Sequence, residues 1–167
     1  MRPPVGPTVR LALTVNGAPV EIDVETAALL LDVLRERLGL TGTKRSCDAQ
    51  VCGACTVLLD GLPVSSCTVL AWEARGRELQ TIEGLAREGR LHPVQEAFLE
   101  ASAFQCGFCT PGMILSTVAL LAEHPDASPE TARAWLRGNI CRCTGYASIL
   151  DALRLAQRRL REPAPWP

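Results

Sequence analysis

Eight cysteines in a chain of 167 residues constrain this sequence more than any other feature. They follow two spacings, C-x4-C-x2-C-x11-C and then C-x2-C-x31-C-x-C. An even number of cysteines is typical of disulfide-linked secreted proteins, but the first residues show neither a secretory apolar segment nor a twin arginine. Metal binding is therefore the favoured interpretation. The first set consists of Cys47, Cys52, Cys55 and Cys67, and the second of Cys106, Cys109, Cys141 and Cys143.

The overall composition argues against several classes of function. A net charge of -1 and a pI of about 6.1 are not those of a nucleic-acid-binding protein. No apolar run approaches the roughly 20 residues that span a bilayer, so we expect a soluble, cytoplasmic protein without a membrane span. No paired carboxylates, Ser–His–Asp set or phosphate-binding loop stands out, so we expect no catalytic residue on this chain.

The first half of the chain is predicted to combine strands with one helix. Two alternating runs, residues 9–15 and 19–24, flank an Asn-Gly pair, which predicts a β-hairpin. Residues 28–40 then place apolar side chains at helical spacing. A hairpin followed by a helix is how a β-grasp fold begins. Further strands are predicted over residues 56–59, over 63–70 and at the start of 79–85.

The second half is predicted to be helical. Pro93, Pro111 and Pro129 each suit the first position of a helix, and Thr110 would act as the N-cap of the second of these helices. A last helix is predicted from about Ala147. The polar residues 84–92 separate the two halves, so we predict an α+β chain with domains at 1–84 and 85–167.

The first cysteine set matches the plant-type ferredoxin spacing of a [2Fe–2S] cluster. Such a cluster is an anion, so a tightly wound loop must direct backbone N–H groups at its sulfurs. Gly53 and Ala54 allow that winding, and Lys44 and Arg45 add positive charge. A structural zinc site is the alternative, but its usual pattern is two separated Cys-x2–4-Cys pairs. The spacing therefore favours iron–sulfur, with the fourth cysteine expected on a strand.

The second cysteine set is less diagnostic. Its Cys-x-Cys pair needs a turn that directs both sulfurs inward, and Gly138 and Gly145 flank it where the backbone can bend. Both cysteine pairs precede predicted helices, whose N-termini stabilise anions. Spacing alone leaves zinc and [2Fe–2S] open for this set.

Three segments together resemble a known family. They are "TGTKRSCDAQVCGACTV", "QCGFCTPG" and "GNICRCTGY". They resemble the signatures of the small iron–sulfur subunit of molybdenum hydroxylases, the xanthine dehydrogenase and aldehyde oxidase family. The resemblance extends from about residue 9 to 160, and all eight cysteines are in register.

This resemblance implies a fold, two cofactors and their ligands. The N-terminal domain would be a β-grasp plant-type ferredoxin domain, followed by an all-α four-helix-bundle domain. Each would hold one [2Fe–2S] cluster, the first on Cys47, Cys52, Cys55 and Cys67, and the second on Cys106, Cys109, Cys141 and Cys143. Gln105 and Cys143 match positions that approach the molybdopterin of a partner subunit.

The resemblance also implies partners. A large molybdopterin-binding subunit would carry the catalytic site, and a medium subunit would bind FAD. Electrons would pass from molybdenum through both clusters to FAD, and the assembly would be a heterotrimer or a dimer of heterotrimers. The substrate is not encoded in this chain. Two alternatives remain at this stage: a stand-alone ferredoxin-like carrier, and a zinc-stabilised interaction module.

The first cysteine loop departs from the family pattern. Many members have Gly-Cys-Gly-x-Gly where this chain has Ser46-Cys47-Asp48-Ala49-Gln50. Without these glycines, the loop must be wound by residues whose side chains restrict the backbone conformation. Asp48 adds a negative charge beside an anionic cluster, which we expect to disfavour its reduction.

Overall fold

A five-stranded mixed sheet forms the first half of the chain in the computed structural model, which describes residues 6–161. The strands lie in the order β2-β1-β5-β3-β4. β1 pairs with β2, and β3 with β4 and β5, in antiparallel fashion, whereas β1 and β5 are parallel. The strands are β1 Thr8–Val15, β2 Ala18–Glu25, β3 Thr56–Leu59, β4 Leu62–Ser65 and β5 Glu78–Gln80.

The predicted Asn-Gly hairpin turn is confirmed, and a second hairpin turn has the same geometry. Asn16 and Gly17 join β1 to β2 with φ of 52° and 81°, and Asp60 and Gly61 join β3 to β4 with φ of 52° and 80°. Two successive positive φ values define the type I′ turn, whose twist matches that of the flanking strands. The turns therefore fix the register of both hairpins.

The predicted helix packs on this sheet, but its second half is not α-helical. α1 covers Leu30–Asp32 and continues as π-helix over Val33–Arg37. The N–H of Leu40 then bonds the carbonyl of Leu34 across Gly39, whose φ is +70°. This is a helix ending that depends on glycine, because the positive φ is readily adopted only by that residue. The buried core under the helix consists of Leu11, Leu13, Val15, Val24, Leu30, Val33, Leu34, Val57, Leu59, Ala71, Ala74 and Leu79.

The predicted return strand over residues 63–70 is wrong beyond its first half. β4 ends at Ser65, and the next three residues form a turn in which the N–H of Thr68 bonds the carbonyl of Ser65 at 3.0 Å. The N–H and the hydroxyl of Ser66 both still bond the carbonyl of Cys55, at 3.3 and 2.7 Å, and the chain then turns away from β3. Cys67 therefore lies on a turn and not on a strand.

Helices dominate the second half, as predicted. α2 and α4 begin at the predicted prolines: His92 caps α2 by accepting the N–H of Val94, and Ser128 caps α4 by accepting the N–H of Thr131. The N-cap of α3 is Cys109 and not Thr110, so that helix begins one residue earlier than predicted. The elements are α2 Pro93–Glu100, α3 Thr110–Glu123, α4 Pro129–Trp135 with a 3-10 turn Leu136–Gly138, and α5 Ala147–Arg161.

The two halves share buried contacts. Leu58 of β3 belongs to the same buried cluster as Phe98 of α2 and Met113 of α3. The start of α3 thus lies against the sheet, which places the cysteine at its N-cap near the first cysteine loop. Within residues 6–161, no helix combines the length and the apolar character that crossing a bilayer requires.

Candidate metal centres

The loop between Cys47 and Cys55 directs backbone N–H groups at a thiol, as the sequence predicts. The N–H groups of Ala49 and Val51 each lie 3.5 Å from the Cys47 sulfur. These two donors, with the N–H of Cys52, lower the pKa of Cys47 to about 6. Because donors favour the thiolate, this cysteine is prepared to bind a metal in its anionic form.

The other end of the first set is buried. Cys55 lies just before β3 and Cys67 lies on the turn after β4, with exposures of 2% and 3%. The antiparallel pairing of β3 and β4 brings them together, since the N–H and hydroxyl of Ser66 both bond the carbonyl of Cys55. Burial, together with the neighbouring Cys67 thiol, raises the pKa of Cys55 to about 11.

The second set is assembled from two loops. The sulfurs of Cys106 and Cys143 lie 3.6 Å apart, and this contact raises the pKa of Cys143. Burial raises the pKa of Cys109 to about 12, and its thiol also contacts that of Cys141. Burial opposes ionisation of Cys141, but hydrogen bonds from Thr144, from the N–H of Cys143 and from the Cys109 thiol together outweigh it and lower the pKa of Cys141. In this second contact, the thiol of Cys141 has a lowered pKa and that of Cys109 a raised pKa.

Each set therefore divides into two pairs of contacting thiols. The pairs are Cys47 with Cys52 and Cys55 with Cys67 in the first set, and Cys106 with Cys143 and Cys109 with Cys141 in the second. Within residues 6–161, no three His, Cys, Asp or Glu side chains converge closely enough to hold one ion. In both sets, the sulfurs are therefore arranged as contacting pairs.

Gln105 is positioned by the second cysteine pair. Its Nε2 donates to the carbonyl oxygen of Cys143 at 3.1 Å, and the residue is exposed. The amide therefore links the loop before α3 to the Cys-x-Cys turn. Gln105 lies at the protein surface, beside the exposed residues Cys106 and Cys143.

The non-glycine residues of the first loop adopt the left-handed backbone conformation that glycine favours. Asp48 has φ of 52° and Gln50 has φ of 56°. Side-chain contacts accompany both: Asp48 forms an ion pair with Arg45 at 2.8 Å, and Gln50 accepts from Thr68 at 3.3 Å. The loop thus retains its winding without the family's glycines.

Sequence reasoning missed a residue that joins the two cysteine regions. Asn139, which is 5% exposed, donates from Nδ2 to the carbonyl of Gly53 at 3.1 Å and to Oγ1 of Thr56 at 3.3 Å. Beside it, the N–H of Ile140 donates to the carbonyl of Cys52 at 2.8 Å. The only signal in the sequence was its position two residues before Cys141.

Tyr146, which directly precedes the last helix, supports the second cysteine turn. Its hydroxyl accepts from the N–H of Cys141 at 2.9 Å and lies 3.3 Å from the carbonyl of Asn139. A φ of 68° places the residue directly before α5. The ring hydroxyl thus holds the backbone on both sides of Ile140.

Two family models match successive, slightly overlapping parts of this chain. Residues 13–86 match the "2Fe-2S iron-sulfur cluster binding domain", and residues 81–154 match the "[2Fe-2S] binding domain". The first match contains the first cysteine set and the second match contains the other.

Relatives and solved structures agree with those models. The chain is 48% identical to the 6-hydroxypseudooxynicotine dehydrogenase complex subunit beta of Paenarthrobacter nicotinovorans, over 86% of this chain and 90% of that protein. It is 46% identical to the nicotinate dehydrogenase small FeS subunit of Eubacterium barkeri, over 90% and 96%. A structure of quinoline 2-oxidoreductase from Pseudomonas putida 86 superposes with a TM-score of 0.87 at 44% identity, over 91% of this chain and 97% of that one.

The chain belongs to the family of small iron–sulfur subunits of molybdenum hydroxylases. The predicted oxidoreductase class, the electron-transfer role and the [2Fe–2S] cofactors are confirmed. The combination of a mixed-sheet ferredoxin domain with a helical [2Fe–2S]-binding domain is confirmed as well.

Proposed function

We propose that the two cysteine sets each hold one [2Fe–2S] cluster. The first would be bound by Cys47, Cys52, Cys55 and Cys67, and the second by Cys106, Cys109, Cys141 and Cys143. The observation that carries this assignment is the pairing of thiols. A cluster with two irons and four cysteine ligands takes two thiolates at each iron. Each pair of contacting sulfurs is therefore assigned to one iron.

The surroundings of the thiols fit an anionic cluster. In the first loop, three backbone N–H groups already favour the Cys47 thiolate, and in the second, Thr144 favours the Cys141 thiolate. Cys55, which is buried, and Cys109, which is half-buried, have raised pKa values, so they lose their protons only when a cation replaces them. Metal binding would therefore release the protons of these two thiols.

Two orphaned hydroxyls flank these sites. Among the described residues, the buried side-chain atoms without a hydrogen-bond partner are Oγ1 of Thr43 and Oγ1 of Thr110. Thr110 directly follows Cys109. Thr43 precedes Lys44, whose N–H bonds the carbonyl of Ala54 beside Cys55. A buried donor without a partner costs free energy, so its presence beside each cysteine region supports an acceptor at both sites.

When bound, the two clusters accept and pass on single electrons. The chain's own residues hold them at fixed positions and exclude water from Cys55, Cys67 and Cys141. Gln105 and Cys143 would face the molybdopterin of a large catalytic subunit, since both lie at the exposed edge of the second site. The first site would face a medium FAD subunit, because Cys47 is exposed there.

The finer predictions on architecture and assembly also form part of this proposal. The first domain, residues 1–84, would be a β-grasp unit, and the second, residues 85–167, a four-helix bundle. The parts of these ranges at 1–5 and 162–167 lie outside the described residues. The complex would be a cytoplasmic heterotrimer or dimer of heterotrimers, and the substrate would be set by the large subunit.

Metal analysis combined with EPR tests the ligand assignment. Full-length protein isolated anaerobically and reduced with dithionite should contain iron and give two distinct [2Fe–2S] signals. Cys47→Ala should remove one signal and Cys106→Ala the other. Colourless protein containing zinc would instead support the interaction module. Iron-containing protein that never co-purifies with a molybdenum or flavin subunit would support a stand-alone carrier.

A further inference from the structure

Three segments meet at Gly53, between two cysteines of the first set. A methyl group added at Gly53 would lie 2.3 Å from the carbonyl oxygen of Gly138, and one added at Gly112 would lie 2.2 Å from the carbonyl oxygen of Gly53. Both distances are far inside van der Waals contact. The first cysteine loop, the start of α3 and the segment before Cys141 thus touch through their backbones.

Asn139 satisfies the polar groups at this junction. Its Nδ2 donates to the carbonyl of Gly53 and to Oγ1 of Thr56, and its Oδ1 accepts from the hydroxyl of Ser116 at 2.7 Å. Ser116 and Thr56 are 3% and 6% exposed. Because Ser116 occupies the oxygen of the amide, the nitrogen must face the first cysteine loop. Buried hydrogen bonds of this kind fix one geometry, since breaking them leaves unpaired groups.

The amide acts between the two proposed cluster sites. Asn139 lies two residues before Cys141, and its acceptor Gly53 directly follows Cys52. The next residue, Ile140, extends the junction by donating its N–H to the carbonyl of Cys52 at 2.8 Å. A ligand of the first site is therefore joined to a ligand of the second by one hydrogen bond and a few covalent bonds.

We propose that Asn139 is a positioning residue that fixes the separation and orientation of the two clusters, through its amide bonds to Gly53 and Thr56. This inference rests on the proposed function. Asn139 binds neither cluster; it holds the Ile140–Cys52 hydrogen bond and hence the distance between the two sites. Loss of the amide should loosen the junction while leaving all eight cysteines in place.

The test uses full-length protein with both clusters present, and its readout is the magnetic interaction between the two reduced clusters in EPR. This interaction depends on their separation and orientation, whereas a merely structural role would alter only stability. In wild-type protein we expect splitting or broadening from mutual interaction. In Asn139→Ala we expect that interaction to shrink or be lost, with iron content at the wild-type level.

Two further variants test the Nδ2 donor of Asn139 separately from its oxygen. Asn139→Asp keeps an acceptor for Ser116 but loses the donor to Gly53, so we expect it to lose the interaction as Asn139→Ala does. Ser116→Ala keeps the donor but frees the amide to rotate, so we expect a smaller loss. If Asn139→Ala does not retain iron, Asn139→Asp and Ser116→Ala provide the test instead.

Asn16→Ala is the matched control. The Asn16 amide also makes two hydrogen bonds, but both go to Thr81, in the loop after β5. This variant should lose stability and keep the wild-type interaction. Unchanged interaction in Asn139→Ala and Asn139→Asp would overturn the inference, as would an equal loss in Asn16→Ala. Absence of iron or of a second signal in wild-type protein would instead overturn the proposed function.

Discussion

The guanidinium of Arg45 forms an ion pair with the carboxylate of Asp48 at 2.8 Å, directly beside Cys47. Arg45 also pairs with Asp32 at the end of α1. The sequence alone indicated that Asp48 would place a negative charge beside the first cluster. The structure adds that a cation lies against this carboxylate, so its effect on the cluster is partly cancelled.

Removal of Arg45 should therefore make the first cluster harder to reduce. In Arg45→Ala the Asp48 charge is uncompensated, and we expect the reduction potential of the first cluster to become more negative while that of the second is nearly unchanged. The fold should lose no more than about 1 kcal/mol, since the pair is exposed. EPR-monitored redox titration measures both potentials. The control is Arg10→Ala, which removes the same charge from an ion pair with Asp23 on the hairpin.

An equal shift in Arg10→Ala and Arg45→Ala would contradict the local explanation and would indicate a general effect of net charge. The double variant Arg45→Ala with Asp48→Asn adds a second check. Because it removes both charges, the potential of the first cluster should return towards the wild-type value.

The contact of Gly112 with Gly53 predicts an unusual cost for alanine within a helix. Gly→Ala in a helix interior normally stabilises by up to about 1 kcal/mol. At Gly112 the new methyl group would meet the carbonyl oxygen of Gly53 at 2.2 Å, so we expect Gly112→Ala to destabilise by about 2 kcal/mol. Chemical denaturation of the iron-loaded protein measures this.

Gly138→Ala provides the control for that substitution. It lies in the same junction, yet a methyl group there would meet no atom within 4 Å. We expect it to change stability by less than about 0.5 kcal/mol. Similar costs for the two alanines would show that the close contact is not what constrains this junction.

Local features of the sequence predicted much of this fold. Asn16-Gly17 indicated a turn that only positive φ values permit, and Pro129 indicated the start of a helix. Each of these signals acts within a few residues. The cysteine spacings extend further, over 11 and 31 intervening residues, but they are read directly along the chain and indicated both candidate sites.

Features that depend on distant residues were not predictable. Asn139 and Gly53 are 86 positions apart in the chain, and no neighbouring residue in the sequence indicates that they are in contact. The strand-forming side chains of residues 63–70 predict Cys67 on a strand, whereas the turn closed by the Thr68 N–H and the Ser65 carbonyl ends β4 early. α3 begins after Cys109 because the carbonyl of this residue accepts the N–H of Met113 at 3.0 Å, and the residue types at this position do not indicate that bond.

The N-cap of α2 predicts a dependence of stability on pH. Burial, with a smaller contribution from Arg87, lowers the pKa of His92 to about 4. The neutral ring accepts the N–H of Val94 at 3.1 Å. The unfolded chain, with an ordinary histidine pKa near 6.5, binds this proton more readily than the folded one. Stability should therefore fall as the pH drops from about 6.5 towards 4, and be independent of this group above 6.5.

Urea denaturation at pH 7 and pH 5 measures this effect. We expect a loss of about 1 kcal/mol from His92 at pH 5, allowing for its residual contact with solvent. His92→Asn keeps an N-cap acceptor that does not titrate, so the difference between the two pH values should shrink. His124→Asn is the control, since His124 is largely exposed. An undiminished pH dependence in His92→Asn would exclude the N-cap as its source.

Gln105 distinguishes a local cap from a role towards the partner subunit. Its amide bonds the carbonyl of Cys143, but this bond is exposed, so Gln105→Ala should cost no more than about 0.5 kcal/mol and leave both EPR signals in place. In the assembled enzyme we expect slower reduction of the second cluster by substrate, because the side chain proposed to face the pterin is missing. Stopped-flow absorbance of the iron–sulfur centres measures that rate.

Gln157→Ala is the matched control, since Gln157 also donates to backbone carbonyls, those of Pro125 and Ala127, away from the cysteines. Equal rates in wild type, Gln105→Ala and Gln157→Ala would show that Gln105 only caps the turn, because loss of a residue that takes part in electron transfer into the second cluster must slow the reduction of that cluster.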